Sequence, residues 1–553
     1  MTSACYRGGA MNGFDGDDVA STASPGEDGG ESDDGGSDDG VPGEPGIAGG
    51  ASLRRLTVAQ YENSVRDLLG DDVTFSAELG DVAPIFDDGE YESVAAGRDG
   101  FSEDDVRAWL GGTLATVAPV FADPDRRAAL VGCTPLAVDD DCARDYLARI
   151  GRRAFRRPLA DDELDRFVAV ASKTDASLGG TPWVGLHYAT AALLQSPSML
   201  YIPELGEPDE AHLRMRYTSL EMASRLAFAL TNRGPDEALL DAGEAGELVE
   251  LDAVRAQAER LLASEHGRRS VSEDLFGEYL RLDALDGLGK DADEYPKWST
   301  SVAMAMREET HRVIDWAVFE EDMTLADLLV NRTTFVDGQL ADIYGMDPPA
   351  AAGFARFDIP DNWVRVGLLG LGSYLAIHAK SHRTAPTIRG HFILSRLLCA
   401  TVDQPPPDVP PLPEIPEGED YKTMRERLEV HANDQQCSGC HGQMDPIGLA
   451  LEHFDGIGAH RENDHGATLD VTGQIGDAHF DGSVELAQTL ASHPSLRSCL
   501  ARQLYRYTAG ATESDPDVVT AIAALGDDTD GNIRELLLAI VTSEAFRYFR
   551  NPE

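Results

Sequence analysis

The chain is poor in basic residues and has no long apolar run. Its 553 residues include 46 Lys and Arg against 97 Asp and Glu, a formal net charge of -51. Such a charge repels nucleic acid and anionic lipid headgroups, so we expect no nucleic-acid partner and no membrane attachment through a basic patch. The chain also lacks a run of about 18 apolar residues, so it contains no candidate membrane-spanning helix.

A convincing alternating strand pattern is missing as well. Apolar residues recur at helical spacing across 251–280 and 300–345, and Thr57 and Thr218 each open a capping box. A chain of this length needs more than one core. We therefore expect a mostly α, multi-module helical protein. In the longer periodic run, the residues expected in the core include Met304, Met306, Val313, Trp316 and Ala317.

The first residues resemble the cleavage box of a bacterial lipoprotein, in which the Cys after three small residues is lipidated. Thr2, Ser3 and Ala4 precede Cys5, and residues 8–50 hold 11 acids and no base. That composition predicts a disordered acidic tether. The charged and apolar parts of a signal peptide are missing, so we expect a start codon further upstream. A cytosolic chain with an ordinary Cys5 is the alternative.

Seven cysteines are present, and four lie outside the N-terminus and the motif described next. Cys133 and Cys142 are close in sequence and would close a short loop, which leaves Cys399 to pair with Cys499 around a much longer one. Both disulfides require an oxidising compartment. Four buried thiols are the alternative.

The segment 437–441 reads Cys-Ser-Gly-Cys-His. This spacing is typical of c-type haem attachment, in which each thiol adds to one vinyl group and the histidine binds iron. The sequence therefore predicts one covalent haem c on Cys437 and Cys440, with His441 as the proximal iron ligand. A zinc half-site or a redox dithiol are alternatives, but no second ligand pair and no βαβ pattern accompany the motif.

Residues after the motif suggest a helix that covers the porphyrin. Asp445 is expected to be its N-cap, with Pro446 at its first position. Met444 is too close to His441 to reach the opposite face of the haem, so we expect it to pack in the interior. The apolar face expected to cover the porphyrin comprises Ile447, Leu449, Ala450, Leu451 and Phe454.

The distal iron ligand is harder to assign. His378 is our candidate, because it ends an apolar run just before an irregular basic stretch. Arg383 and Arg389 are expected to meet haem propionates or, equally, to pair with local acids. The other histidines considered are His382, His460 and His465.

Nearly everything after the tether resembles a family of large exported bacterial proteins built from domains of unknown function 1587, 1595, 1592, 1588 and 1585. The matching segments, in chain order, are 56–63, 66–70, 153–159, 223–226, 235–236, 306–310, 389–390, 437–441, 445–448 and 452–455. At 510–512 the chain has Gly-Ala-Thr, where the family commonly has Gly followed by Arg. The resemblance implies a cytochrome-like, exported protein and supplies no substrate.

Composition and resemblance together predict an order of modules. These are a tether with the lipoprotein-like Cys (1–50), three helical modules (51–125, 133–200 and 214–346), a haem c module with a Pro-rich connector (362–463), and a C-terminal helical module (475–549).

We expect an exported c-type haem protein of the periplasm or outer membrane, tethered only by a lipid on Cys5. Its function would be electron transfer with a redox partner protein, or haem-dependent oxidation of a small molecule. A surface-anchored binding scaffold with structural haem and a peroxidase-like enzyme remain alternatives, so enzymatic activity stays open.

Overall fold

The computed structural model describes residues 52–76, 90–98, 100, 102–178, 180–209, 214–402, 423–432, 437–513 and 515–550. Cys5, the acidic tether and the Pro-rich connector lie outside these residues. The fold is mostly helical, as predicted. Within the described part of the chain, no helix combines the length and apolar character needed to cross a membrane.

Among the described residues up to Leu200, eight helices form the N-terminal part. Thr57 forms the predicted capping box, in which its hydroxyl accepts from the Gln60 amide while the Gln60 side chain accepts from the Thr57 amide. Such a cap contributes roughly 1 kcal/mol of helix stability. The helices are α1 (Val58–Leu69), α2 (Glu92–Ala96), α3 (Glu103–Ala122), α4 (Pro124–Val131), α5 (Asp141–Phe155), α6 (Asp161–Leu178), α7 (Pro182–Leu194) and α8 (Pro197–Leu200).

A second group of helices follows the predicted capping box of Thr218 and Glu221. In its longest helix, Met306 and Trp316 are buried as expected, but Met304 is 64% exposed. The prediction for Met304 was wrong, because its position faces away from the stripe that the others share. These helices are α9 (Ser219–Thr231), α10 (Glu237–Glu244), α11 (Leu251–Ala263), α12 (Glu265–Arg269), α13 (Phe276–Leu280), α14 (Thr300–Phe319), α15 (Leu325–Val330) and α16 (Gly338–Tyr344).

The C-terminal part contains the helix that carries the Cys-His motif. Two stretches of π-helix, Ser270–Leu275 and Ile393–Leu397, interrupt the regular helices of the chain. The remaining helices are α17 (Gly372–Ile377), α18 (Pro386–Phe392), α19 (Met424–Ala432), α20 (Ser438–Leu449), α21 (Gly482–Ala491), α22 (Ser495–Ala509), α23 (Pro516–Asp528), α24 (Ile533–Thr542) and α25 (Glu544–Arg547).

Short strands are present where no strand pattern was found in the sequence. The strands are β1 (Ser52–Arg55), β2 (Tyr201–Glu204), β3 (Glu207–Asp209), β4 (Arg214–Arg216), β5 (Thr333–Val336), β6 (Ala355–Asp358), β7 (Asn463–Asp464), β8 (Ala467–Thr468), β9 (Thr472–Ile475), β10 (Ala478–Asp481) and β11 (Tyr548–Arg550). The pairs among these described strands are antiparallel: β1 with β2, β5 with β6, β7 with β8, β9 with β10, and β4 between β3 and β11.

Two large hydrophobic cores hold these elements together. The smaller core contains Leu56, which follows β1, together with residues of β2 and of the N-terminal helices except α2. The larger core runs from α9 to β11 and also includes Tyr91 and Val94. At the boundary, Phe228 of α9 packs into the smaller core, and Arg225 on the same helix forms a buried ion pair with Glu204 of β2. The last three predicted modules therefore share a single core.

Two disulfides cross-link the described residues. Cys133 is joined to Cys142, and Cys399 is joined to Cys499. The second bridge ties the segment after the π-helix of Ile393–Leu397 to α22, across a sequence separation of 100 residues.

Candidate functional site

The Cys-His motif occupies the first turn of helix α20. Cys437 immediately precedes the helix, and its carbonyl accepts a hydrogen bond of 3.1 Å from the His441 amide. Cys437, Cys440 and His441 thus stand at positions i, i+3 and i+4, which share one side of a helix. Both cysteines carry thiols that are partly accessible to solvent.

The imidazole of His441 is held by a carboxylate one turn further along the helix. Its Nδ1 lies 2.9 Å from Oδ2 of Asp445, and the side chains are only 14% and 7% exposed. Because a carboxylate accepts hydrogen bonds, Nδ1 carries the proton. The other oxygen, Oδ1, accepts a hydrogen bond of 2.6 Å from the Thr387 hydroxyl of α18.

Asp445 therefore has a different role from the one that the sequence suggested. Helix α20 already begins at Ser438, so Asp445 and Pro446 lie inside it, and the prediction of an N-cap at Asp445 was wrong. Proline has no amide hydrogen, so the helical hydrogen bond to the Gly442 carbonyl is missing at this point. The Asp445 side chain reaches back to His441 instead of capping an amide ahead of it.

Helices α18 and α20 touch backbone to backbone, and this contact brings Thr387 to Asp445. A Cβ atom on Gly390 would lie 1.9 Å from the Met444 carbonyl oxygen, and one on Gly448 would lie 1.8 Å from the Pro386 carbonyl oxygen. Both distances are far inside van der Waals contact. Only glycine at these two positions permits the observed spacing of the helices.

The apolar residues after the motif pack into protein. Ile447, Ala450, Leu451 and Phe454 are completely buried in the larger core, as is Met444, whose packing role was predicted. Leu449 forms a small cluster with Met424 and Leu428 of α19. That this face covers a porphyrin stays a prediction that this packing does not favour, because protein side chains surround it.

Arg389 is also buried in the protein interior, where its guanidinium group is hydrogen-bonded. It is 0% exposed, and its Nη1 and Nη2 atoms donate to the carbonyls of Leu451 and Asp455 at 3.0 and 2.9 Å. It also lies 3.5 Å from a carboxylate oxygen of Glu452. The expectation that Arg389 meets haem propionates was wrong, and its alternative, pairing with a local acid, is observed. Arg383 is half-buried and donates to the Thr384 carbonyl at 3.4 Å.

Glu452 forms the centre of a buried ionic network that the sequence had not indicated. Besides Arg389, Arg461 donates to its carboxylate at 2.8 Å and the Thr384 hydroxyl donates at 2.9 Å. Burial raises the pKa of Glu452, and the two arginines oppose that shift. The segment 452–455 was distinctive in sequence, but this role depends on Arg389, which is 63 residues from Glu452, as well as on the nearer Arg461.

His378, the candidate distal ligand, is buried on another side of α18. Its ring lies 4.7 Å from the rings of Tyr374 and Phe392, and its Nδ1 is 2.8 Å from the Tyr374 carbonyl. Burial lowers the pKa of His378 to about 3. Phe392 is two residues from Gly390, about 200° around the helix, so His378 packs against a different face of α18 from the one that contacts α20. His378 as a distal ligand stays a prediction that these contacts do not favour.

The other histidines considered are exposed. His382 lies beside the Ser381 hydroxyl at 3.3 Å, and His460 lies 6.1 Å from the ring of His453. His465 contacts Asp464 at 3.2 Å and Glu294 at 3.6 Å. In the structure described, these contacts do not bring any of the three to the first turn of α20.

A cleft of about 510 Å³ opens at Pro446, on the helix that carries the motif. Strands β9 and β10 form much of its wall, together with residues from the starts of α19 and α21. Arg425 is already bonded to Asp470, at 3.2 Å. No motif in the sequence indicated this cleft, whose polar lining includes Arg425, Gln474, His479, Asp481 and Glu485.

Sequence models of five families match the chain, each described as a protein of unknown function. They are DUF1587 at residues 54–83, DUF1595 at 142–204, DUF1592 at 217–346, DUF1588 at 365–464 and DUF1585 at 476–546. The order and composition are those that the sequence resemblance predicted. The chain belongs to the family built from these five domains.

Within this five-domain family, the DUF1588 match covers the candidate site. It contains the Cys-His motif, Asp445, Thr387 and the buried network of Arg389 and Glu452. These domains are related to cytochrome c families. No curated protein and no solved structure is significantly similar to the chain.

Proposed function

We propose that this protein carries one haem c, attached through Cys437 and Cys440, with His441 as the proximal iron ligand. The observation that supports it is the placement of two accessible thiols and the imidazole within one turn of α20. Because Nδ1 of His441 is bonded to Asp445, the nitrogen assigned to iron is Nε2. A haem held there would supply a one-electron redox centre.

The donor set fits haem better than zinc. A structural zinc site needs about four converging ligands. Across the described ranges, no group of three or more His, Cys, Asp or Glu side chains is placed to hold a metal ion directly. Thioether attachment asks only that each thiol reach a different vinyl group, which thiols three residues apart on a helix can do.

We further infer an exported protein that works in electron transfer or haem-dependent oxidation. The two disulfides support an oxidising compartment such as the periplasm. The proposed lipid anchor on Cys5 would hold the protein at a membrane, and the acidic surface charge suits a basic redox partner protein. His378 has no role in this proposal.

The test is to produce the full chain with haem-attachment machinery, and to measure its mass and its pyridine haemochrome spectrum. We expect one added haem and an absorption spectrum typical of two thioether links. The double variant Cys437→Ser with Cys440→Ser should lose both signals. Ser438→Ala, which changes a spacer residue and keeps the motif, should retain them.

Two results would overturn the proposal. One is a colourless exported protein without added mass. The other is a double cysteine variant that keeps the absorption spectrum of the parent protein, since haem bound elsewhere would not need these thiols.

A further inference from the structure

The hydrogen-bond chain from Thr387 through Asp445 to His441 connects two helices to the predicted iron ligand. Thr387 donates to Oδ1 of Asp445 at 2.6 Å, and Nδ1 of His441 donates to Oδ2 at 2.9 Å. Both carboxylate oxygens are therefore engaged, one by each helix. The glycine contacts hold α18 and α20 close together, and the hydrogen bonds to both oxygens restrain rotation of the carboxylate.

We propose that Asp445 is a positioning residue that makes His441 a strong electron donor, so that the site favours oxidised iron, and that Thr387 moderates this effect. The inference rests on the proposed haem at Cys437 and Cys440. The hydrogen bond from His441 to Asp445 predicts in which direction the redox potential is shifted, which the Cys-His motif alone does not.

A carboxylate that accepts a hydrogen bond from an imidazole changes the basicity of the ring. A hydrogen bond from Nδ1–H to a negative acceptor draws the proton toward the carboxylate and increases the basicity of the other ring nitrogen. A more basic axial ligand stabilises the higher oxidation state of the metal, which lowers the midpoint potential.

Burial of the His441–Asp445 pair strengthens this effect. The side chains of His441 and Asp445 are 14% and 7% exposed, so water screens their interaction only weakly. Hydrogen bonds to charged groups are roughly twice as strong as neutral ones, and a low local dielectric strengthens them further. The carboxylate therefore acts on the ring more strongly than a surface aspartate would.

Thr387 weakens the effect of the Asp445 carboxylate on His441. Its hydroxyl also donates to the carboxylate, and a second donor spreads the negative charge that would otherwise act on His441. Removing the charge and removing the hydroxyl should consequently move the potential in opposite directions. A purely structural contact would not predict opposite signs, since either loss would loosen the same helix pair.

The experiment measures the midpoint potential of the full-length haem protein by spectroelectrochemistry, together with the ferric electron paramagnetic resonance spectrum. Asp445→Asn should raise the potential and alter the g-values, because a neutral amide replaces the carboxylate. Thr387→Val should lower the potential, and Thr387→Ser, which keeps the hydroxyl, should restore the parent value. The matched control is Asp477→Asn, an exposed residue in the turn between β9 and β10.

The outcomes separate this inference from the proposed function. A parent protein without haem removes the proposed function. A haem-loaded Asp445→Asn protein with the potential of Asp477→Asn overturns the inference alone, as do shifts of the same sign for Asp445→Asn and Thr387→Val. If Asp445→Asn does not accumulate with haem, the Thr387 variants decide: equal potentials for Val and Ser overturn the inference.

Discussion

Glu309 is a carboxyl group buried completely in the middle of α14. The Thr334 hydroxyl and the Tyr344 hydroxyl each donate to its carboxylate at 2.6 Å, and Tyr344 in turn accepts from the Gly372 amide at 2.8 Å. Burial raises the pKa of Glu309 to about 7, although these hydrogen bonds and Arg365 work against the shift. The neutral acid is thus favoured in the folded protein at mildly acidic pH.

This shift predicts that Glu309 makes the protein less stable as pH rises. The folded pKa of about 7 lies above the ordinary value of 4.5, so the folded state holds the proton more tightly than the unfolded state. The contribution is favourable below about pH 4.5, is lost between about 4.5 and 7, and reaches on the order of 3 kcal/mol.

Urea unfolding at pH 5 and pH 8 tests this prediction. Glu309→Gln, which keeps the shape and both hydrogen-bonding positions, should reduce the fall in unfolding free energy between the two pH values. Glu308→Gln on the same helix, a half-exposed residue paired with Arg312, should leave it unchanged. Equal pH dependence in the parent and Glu309→Gln proteins would contradict the assignment.

At the scale of elements, the backbones of α18 and α20 approach so closely near the motif that only glycine fits between them. Gly390→Ala would place a methyl group 1.9 Å from the Met444 carbonyl oxygen, so the helices must separate. We expect a loss of about 2–4 kcal/mol of stability, measured by chemical denaturation, because backbone rather than a mobile side chain is in the way.

A second glycine supplies the control for that prediction. Gly277 in α13 has open space around its Cβ position. Gly277→Ala should be neutral or stabilising by up to about 1 kcal/mol, because alanine is the better helix former. A Gly390→Ala protein as stable as Gly277→Ala would show that the two helices are not in close contact.

The sequence predicted the helices but missed the strands. The capping boxes of Thr57 and Thr218 are local, since donor and acceptor lie three residues apart, and both were found at the predicted positions. The strands were missed because they are two to four residues long and several pair with distant segments. Ser52 of β1, for example, is opposite Glu204 of β2. A short strand becomes stable only through a partner that the local pattern does not contain.

Across the whole molecule, the disulfide of Cys399 and Cys499 closes a loop of about 100 residues that includes the motif helix. The Cys133–Cys142 bridge spans a sequence separation of only 9. Chain entropy predicts that the longer loop stabilises the fold more, by about 2 kcal/mol.

Paired Cys→Ala variants at each bridge, compared in urea unfolding, measure this difference. Loss of the Cys399–Cys499 bridge should lower the unfolding free energy by up to about 5 kcal/mol, and by more than loss of the shorter bridge. Equal effects from the two pairs would mean that strain or unfolded-state structure outweighs loop entropy.

The amino-acid sequence alone determined what depends on near neighbours: helical periodicity, helix caps, the Cys-His spacing and the family resemblance. The tertiary structure decided the rest. It turned Asp445 from an expected cap into the partner of His441, buried Arg389 against Glu452, packed His378 against Tyr374 and Phe392, and placed the last three predicted modules around one core. The physical reason is that burial and pairing in the interior depend on residues distant in sequence, and a single chain's local pattern does not encode those partners. Asp445 and His441 are only four residues apart, but their pairing depends on helix α20 beginning at Ser438, before both of them.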